Sequence, residues 1–163
     1  MTINITVYAI PGPQGSKKAI GTGTTADGHS FTRMAESSKK VRPWRKAVEK
    51  AATAAYRGAP LDCPLRVRMV FTMPKPASAP KRKQTWPMRY PDVSKLCRAT
   101  EDALTKAGVW KDDARVCEYE RLAKVFPNED PEALASPGVR IEIRVLAEVV
   151  ATAPLFQQSE VAA

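Results

Sequence analysis

The sequence is poor in cysteine and contains no long apolar run. Cys63, Cys97 and Cys117 are its three cysteines and form no CxxC pair, so we expect reduced thiols and neither a disulfide framework nor a zinc site. No apolar stretch approaches the roughly 18 residues that cross a bilayer. The amino-terminal segment has no basic residues ahead of its apolar part. We therefore expect no signal peptide and an intracellular protein without a membrane partner.

Negative charge is also scarce. The 163-residue chain has 26 lysines and arginines against 17 aspartates and glutamates, and its formal net charge is +9. Such an excess favours polyanionic partners, above all nucleic acid. A basic surface that serves only solubility is the alternative. The length predicts one domain with a hydrophobic core of its own.

Hydrophobic periodicity predicts an α+β (mixed α/β) fold. Alternating apolar residues indicate strands at 3–9, 65–73, 115–125 and 139–145. Helical spacing indicates two main helices, one from Pro43 that stops at Gly58 and one from Asp92 or Ser94 that stops at Gly108. We expect both helices to pack on a single small sheet of about four strands.

These elements form a single predicted domain over residues 1–148. Residues 20–33 are rich in glycine and threonine and are expected to form a loop or a loose hairpin. Residues 149–163 lack a core pattern, which predicts a disordered tail.

Residues 74–91 (PKPASAPKRKQTWPMRYP) are proline-rich and strongly basic. Their prolines exclude regular structure. One interpretation is an extended, solvated connector. The other is a mobile basic arm beside a DNA site, in which lysines and arginines contact phosphates while Trp86 and Tyr90 stack on bases. The segment that follows favours the second interpretation.

Acidic residues flank the predicted helix in PDVSKLCRATEDALTKAGVWKDD, residues 91–113. Taken singly, each has an ordinary explanation. Asp92 is a suitable helix cap, and Asp112 and Asp113 are typical turn residues. Arg98 on the polar face has the spacing to pair with Asp102.

Taken together, the two ends predict a metal site. The helix carries the chain about 20 Å away at 1.5 Å per residue, and about six extended residues return it over a similar distance. Asp92 and Asp113 can therefore lie together, where two carboxylates would bind Mg²⁺, a cation that also takes phosphate oxygens as ligands. In a basic protein this arrangement indicates phosphodiester cleavage, with Arg98 offsetting negative charge in the transition state.

The stretch PDVSKLCRATEDALTKAGVWKDDARV resembles the signature of the RusA family of Holliday junction resolvases. The family pattern runs roughly D-x-D-[NK]-x-x-[KR]-x-x-x-D-A-L, then a short spacer, then [VW]-x-D-D-x-x-V. The resemblance aligns the acids and the basic residues in order: Asp92, Lys95, Arg98, Asp102-Ala103-Leu104 and Asp112-Asp113. PGPQGSKK (11–18), WRKAV (44–48), the basic loop, Lys124 and the last strand also have counterparts, so the resemblance covers most of residues 5–146.

The resemblance implies an enzyme that resolves four-way DNA junctions by paired symmetric nicks, in recombination, repair or phage DNA processing. It implies a homodimer that depends on Mg²⁺, with Mn²⁺ as a substitute, in the bacterial cytosol and encoded by a bacterium or a phage. The implied catalytic residues are Asp92, Ser94, Arg98, Asp112 and Asp113. The implied metal ligands are Asp92 and Asp113, with Ser94, Asp112 and then Asp102 as further candidates. The implied DNA contacts are Lys17, Lys18, Arg45, Lys46, Lys81, Arg82, Lys83, Arg89 and Lys124.

Ser94 departs from the family pattern, which has an acid at this position. A hydroxyl is neutral and a weaker Mg²⁺ ligand than a carboxylate. Ser94 could coordinate the metal, hold a water bound to it, or only cap the helix, and Asp112 or Asp102 could supply the missing carboxylate. Two other functions therefore stay open. One is a non-catalytic protein that binds branched DNA, and the other is a broader nuclease that cuts flaps or forks.

Overall fold

The computed structural model describes residues 1–15, 17–36, 38–80 and 82–146. In this part of the chain the elements are β1 (Thr2–Tyr8), β2 (Lys17–Thr24), β3 (Ser30–Glu36), α1 (Val41–Ala55), β4 (Leu65–Thr72), α2 (Val93–Lys106), a 3₁₀ turn (Asp113–Arg115), β5 (Val116–Val125) and β6 (Gly138–Val145). The four predicted strands and both predicted helices are present. Residues 20–33 fall largely within the β2–β3 hairpin. The predicted tail at 149–163 lies outside the described residues.

The main sheet has four strands in the order β1-β6-β4-β5. β6 pairs antiparallel with both β1 and β4, so that Ile141 lies opposite Ile5 on one side and Met69 on the other. β4 and β5 pair in parallel. Because parallel neighbours need a crossover connection, the chain between them has room for α2. β2 and β3 form a separate two-stranded sheet, and the whole is the expected α+β fold.

The two helices pack side by side on one face of the main sheet. That face presents the apolar side chains of alternating strand residues such as Ile5, Val67 and Met69, each at most 1% exposed. The indole N–H of Trp44 on α1 donates to Oγ1 of Thr100 on α2 at 3.1 Å. Thr100 in turn donates to the Leu96 carbonyl, so the Trp44 indole and the Thr100 hydroxyl between the helices both have hydrogen-bond partners. None of the described helices is both long and apolar enough to span a bilayer.

Candidate functional site

Asp92 is the N-cap residue of α2, with extended backbone angles. Its carboxylate makes no capping hydrogen bond. It forms an ion pair with Lys95 at 3.1 Å instead, and its side chain is 57% exposed. Ser94 therefore lies inside the first turn, also exposed, and is not the cap. The acid at this end of the helix faces outward and remains accessible.

Lys124 on β5 holds the segment that leads into Asp92. Its Nζ donates to the carbonyl of Pro91 at 2.7 Å and to that of Arg89 at 3.0 Å. The Tyr90–Pro91 peptide bond is cis. The ammonium group of the lysine is thus bound to backbone carbonyls directly before α2.

The other end of α2 is fixed by a glycine and a tryptophan. Gly108 has a φ of +73°, a left-handed conformation that favours glycine at a helix C-terminus. The buried Trp110 donates its indole N–H to Thr105 Oγ1 at 2.7 Å, which turns the chain back along the helix. Asp112 then caps the 3₁₀ turn, its Oδ1 accepting from the Ala114 N–H at 2.9 Å. Asp113 is the first residue of that turn and is exposed.

A third acid near this turn, Glu101, was not among the predicted site residues. It is half-buried on α2 and accepts a hydrogen bond from the Tyr119 hydroxyl of β5, which itself accepts from Cys97 Sγ at 3.3 Å. Burial raises the pKa of Glu101, and the negative charge of Asp113 raises it further. Glu101 and Asp113 are therefore close enough for their charges to interact.

The sequence held one signal for Glu101. It stands seven residues after Ser94, and a separation of two helical turns puts both side chains on the same face of α2. Helical spacing alone does not single it out, because Asp102 is the next residue. The contact with Tyr119 does so, and that contact depends on the tertiary packing of β5.

Asp102 and Arg98 do not pair with one another. The Asp102 carboxylate forms an ion pair with the Arg45 guanidinium of α1. Asp102, a candidate metal ligand, and Arg45, a candidate DNA contact, are therefore bound to each other. Arg98 is exposed on the outer side of α2. The expected ordinary partner of Arg98 is thus engaged elsewhere, and the structure gives Arg98 no ion pair among the described residues.

Within the described residues, no group of three or more acidic, histidine or cysteine side chains converges to hold a metal ion. The acids placed around α2 are Asp92, Glu101 and Asp113, together with Asp112, which is engaged as a cap, and Asp102, which is paired with Arg45. All of these residues offer carboxylate oxygens, the type of ligand atom that Mg²⁺ prefers. Mg²⁺ is usually bound by one or two carboxylates together with waters and substrate phosphates. The donor set therefore fits such a cation when DNA supplies further oxygens.

The basic loop, residues 74–91, is anchored to the turn after β5. Lys75 forms an ion pair with Glu129. The Thr85 N–H and hydroxyl donate to the same carboxylate at 3.0 and 3.1 Å. A single acid beyond β5 thus contacts the loop at two points, Lys75 and Thr85.

Several predicted DNA contacts lie on exposed surface. Arg82, Lys83 and Arg89 in the basic loop are exposed, as is Lys46 on α1. Lys81 lies outside the described residues, and the structure does not describe the side chains of Lys17 and Lys18.

Residues 17–144 match a family model described as Endodeoxyribonuclease RusA. The chain belongs to the RusA family. A search of curated proteins finds no match. The match spans most of the chain and contains the whole segment from Asp92 to Asp113. The protein is therefore an endodeoxyribonuclease of a Holliday junction resolvase family, whose substrate is branched DNA and whose members generally depend on a divalent metal.

Proposed function

We propose that this RusA-family protein is a Mg²⁺-dependent resolvase that cuts four-way DNA junctions by paired symmetric nicks. The observation that carries the proposal is the arrangement along α2: an accessible Asp92 at its start, an exposed Arg98 on its outer side, and Asp113 on the turn that follows it. An endonuclease needs acids for a metal and a cation for the phosphate, and this segment provides both.

Asp92 and Asp113 are the proposed principal metal ligands. Ser94 and Glu101 are the next candidates, Ser94 because it lies in the first turn of α2 beside Asp92 and Glu101 because the charge of Asp113 acts on it. Asp112 and Asp102 are weaker candidates, since one caps the 3₁₀ turn and the other pairs with Arg45. When bound, the metal supplies Lewis-acid chemistry at the scissile phosphate.

The cations of the protein would hold and orient the DNA. Arg98 offers a planar guanidinium to the phosphate oxygens and offsets the charge that builds on them in the transition state. Lys124 positions Asp92 through the Pro91 carbonyl. Arg82, Lys83 and Arg89 would contact phosphates farther along the DNA, which should make binding strongly dependent on salt.

A homodimer follows from the symmetry of the substrate. A four-way junction has strands related by a two-fold axis, and a two-fold dimer presents one active site to each of two strands. Paired nicks then leave two separate duplexes. We place this activity in the cytosol of a bacterium, on host or phage DNA, with Mn²⁺ able to replace Mg²⁺.

Ser94 keeps a second function open, a protein that binds junctions without cutting them. The two functions separate when the wild-type protein is given a four-way junction, a fork and a linear duplex of the same sequence, each with Mg²⁺ and with Mn²⁺. A resolvase nicks the four-way junction at symmetric positions and leaves the linear duplex intact. Binding without nicking in both metals would establish the non-catalytic function, and cutting of the fork at an equal rate would establish a broader nuclease.

The same assay tests whether Ser94 occupies a metal-ligand position. Ser94→Asp restores the family's acid and should preserve or raise the nicking rate while lowering the Mg²⁺ concentration needed for half-maximal rate. A fall in thermal stability without any change in the metal response would show that Ser94 has only a local structural role.

A further inference from the structure

Positive charge is divided unevenly between the two sides of the molecule. On the face of the sheet away from the helices, arginines are paired with acids of neighbouring strands and loops. These pairs are Arg66 with Glu118, Arg68 with Glu120 and Glu132, Arg121 with Asp130 and Glu132, and Arg144 with Glu142. Paired charges present little net field to a polyanion, so this face is poorly suited to DNA.

The outer side of α1 carries cations that form no ion pair among the described residues. Arg42, Lys46 and Lys50 are spaced four residues apart and are all exposed, so they form one line on the side of the helix away from the buried Trp44. Arg57 follows just beyond the end of the helix and is exposed as well. We call Arg42, Lys46, Lys50 and Arg57 the α1 ridge.

The α1 ridge has no acidic partners among the described ion pairs. Glu49, the acid on the same helix, binds Lys106 of α2 at 3.0 Å. Like charges four residues apart destabilise a helix by a few tenths of a kcal/mol per pair. A line of them without acids to offset the repulsion is therefore expected where a partner supplies the negative charge.

The α1 ridge borders the candidate site. α1 is joined to α2 by the Arg45–Asp102 and Lys106–Glu49 ion pairs and by the Trp44–Thr100 hydrogen bond. The two helices lie side by side on the same face of the sheet, so their outer sides form one surface that also includes Arg98. From Arg42 to Lys50 the ridge extends about 12 Å. That length covers about three to four nucleotide steps of one DNA strand at 3.4 Å per step.

We propose that the α1 ridge binds the phosphate backbone of the DNA arm that leads away from the scissile phosphate. The inference deepens the proposed function and rests on it. Contacts to phosphate and sugar fix the position of a protein on DNA without reading base edges, so a ridge bound to the backbone would set the position of the arm and carry no sequence preference. Its contribution would appear as salt-dependent affinity.

The test is the salt dependence of junction binding without a divalent metal. Dissociation constants for a four-way junction are measured between 50 and 200 mM salt, and the logarithm of the association constant is plotted against the logarithm of salt concentration. The variants are Arg42→Gln, the combined Arg42→Gln, Lys46→Gln and Lys50→Gln, and the matched control Arg140→Gln. Arg140 is an exposed arginine on the open side of the sheet with no described ion pair.

Each lost phosphate contact should reduce the magnitude of the slope by about 0.9. The single Arg42 variant should therefore lose about 0.9, the triple variant about 2.7, and the Arg140 variant nothing. A triple variant with the wild-type slope and affinity would overturn the proposal, and so would an equal loss in the Arg140 variant. A charge-preserving variant, Arg42→Lys with Lys46→Arg and Lys50→Arg, should keep the wild-type slope, which separates loss of charge from loss of fold.

The outcome is independent of catalysis because no metal is present. A wild-type protein with a ridge-dependent slope but no nicking in Mg²⁺ would contradict the proposed resolvase activity and leave the ridge as a DNA-binding surface. Nicking by the wild type together with an unchanged slope in the triple variant would contradict the ridge alone.

Discussion

Lys124 donates from Nζ to the carbonyl oxygen of Pro91 at 2.7 Å, and so connects strand β5 to the residue directly before Asp92. A second bond from the same ammonium group reaches the Arg89 carbonyl at 3.0 Å. Two contacts from one side chain fix the backbone at the start of α2. We propose that the position of Asp92, the first acid of the candidate site, depends on this lysine, which is distant in sequence.

Replacing Lys124 by methionine should lower the nicking rate by about 10- to 100-fold, the usual effect of removing a group that orients a metal ligand. The Mg²⁺ concentration for half-maximal rate should rise as well, because Asp92 loses its fixed position. Lys124→Arg keeps the donors and should recover much of the rate. Wild-type metal dependence in the methionine variant would show that Lys124 does not position Asp92.

Asp102 is expected to have a structural role through Arg45. The pair is partly exposed, with side chains 28% and 36% accessible, and such pairs contribute about 0.2–1 kcal/mol. A double-mutant cycle of Arg45→Met and Asp102→Asn, followed by urea unfolding, should give a coupling of that size. Nicking by Asp102→Asn at close to the wild-type rate is predicted, and loss of metal-dependent nicking in that variant would instead make Asp102 a ligand.

Glu101→Gln should stabilise the metal-free protein and impair the enzyme. Because burial and the charge of Asp113 raise the pKa of Glu101, its ionised form opposes folding at pH values above that raised pKa, and the effect fades as the pH falls and the acid takes up a proton. The variant should thus have a higher melting temperature than the wild type at pH 8, and the difference should close near pH 4. Nicking should fall about 100-fold or more if Glu101 joins Asp113 at the metal.

The change in melting temperature on adding a divalent metal tests separately whether Glu101 is a metal ligand. Added Mg²⁺ or Mn²⁺ should raise the melting temperature of the wild type more than that of Glu101→Gln, since a ligand that binds the folded state stabilises it. Equal metal-induced shifts, with normal nicking, would confine Glu101 to its contact with Tyr119.

Glu129 should make the anchoring of the basic loop sensitive to acid. The hydrogen bond from Lys75 holds the pKa of Glu129 below its ordinary value of 4.5, and bonds from Thr85 add to the effect. A lowered carboxyl pKa contributes stability that is complete above the ordinary pKa and is lost as pH falls through the folded-state pKa. Glu129→Gln should therefore melt at a lower temperature than the wild type at pH 7 and at the same temperature in strong acid, as followed by circular dichroism. A pH-independent difference would contradict this origin.

The sequence predicted the elements well because their apolar periods are regular. β1 alternates strictly between buried and exposed residues, β4 alternates between buried and partly buried residues over its first five positions, and Gly108 marks the end of α2 at a position with positive φ. Such signals are local, and local rules suffice to find them.

The partners of the site side chains were harder to predict, because they are set by tertiary packing. Arg45 takes Asp102 only because α1 lies beside α2, and Tyr119 selects Glu101 only because β5 packs on the same helix. The Glu129 carboxylate contacts the basic loop at Thr85, which lies 44 residues earlier in the chain. Spacing along one helix cannot supply contacts between elements.

Asp113→Asn provides the most direct measurement of the central claim, that acids at the two ends of α2 form the metal site of a junction resolvase. Nicking of a four-way junction in Mg²⁺ and binding of the same junction without metal are measured on the variant and the wild type. We predict that the variant loses nicking by about 100-fold or more while its dissociation constant stays close to the wild-type value, because the carboxylate serves the metal and not the DNA. Full nicking by Asp113→Asn would contradict the site.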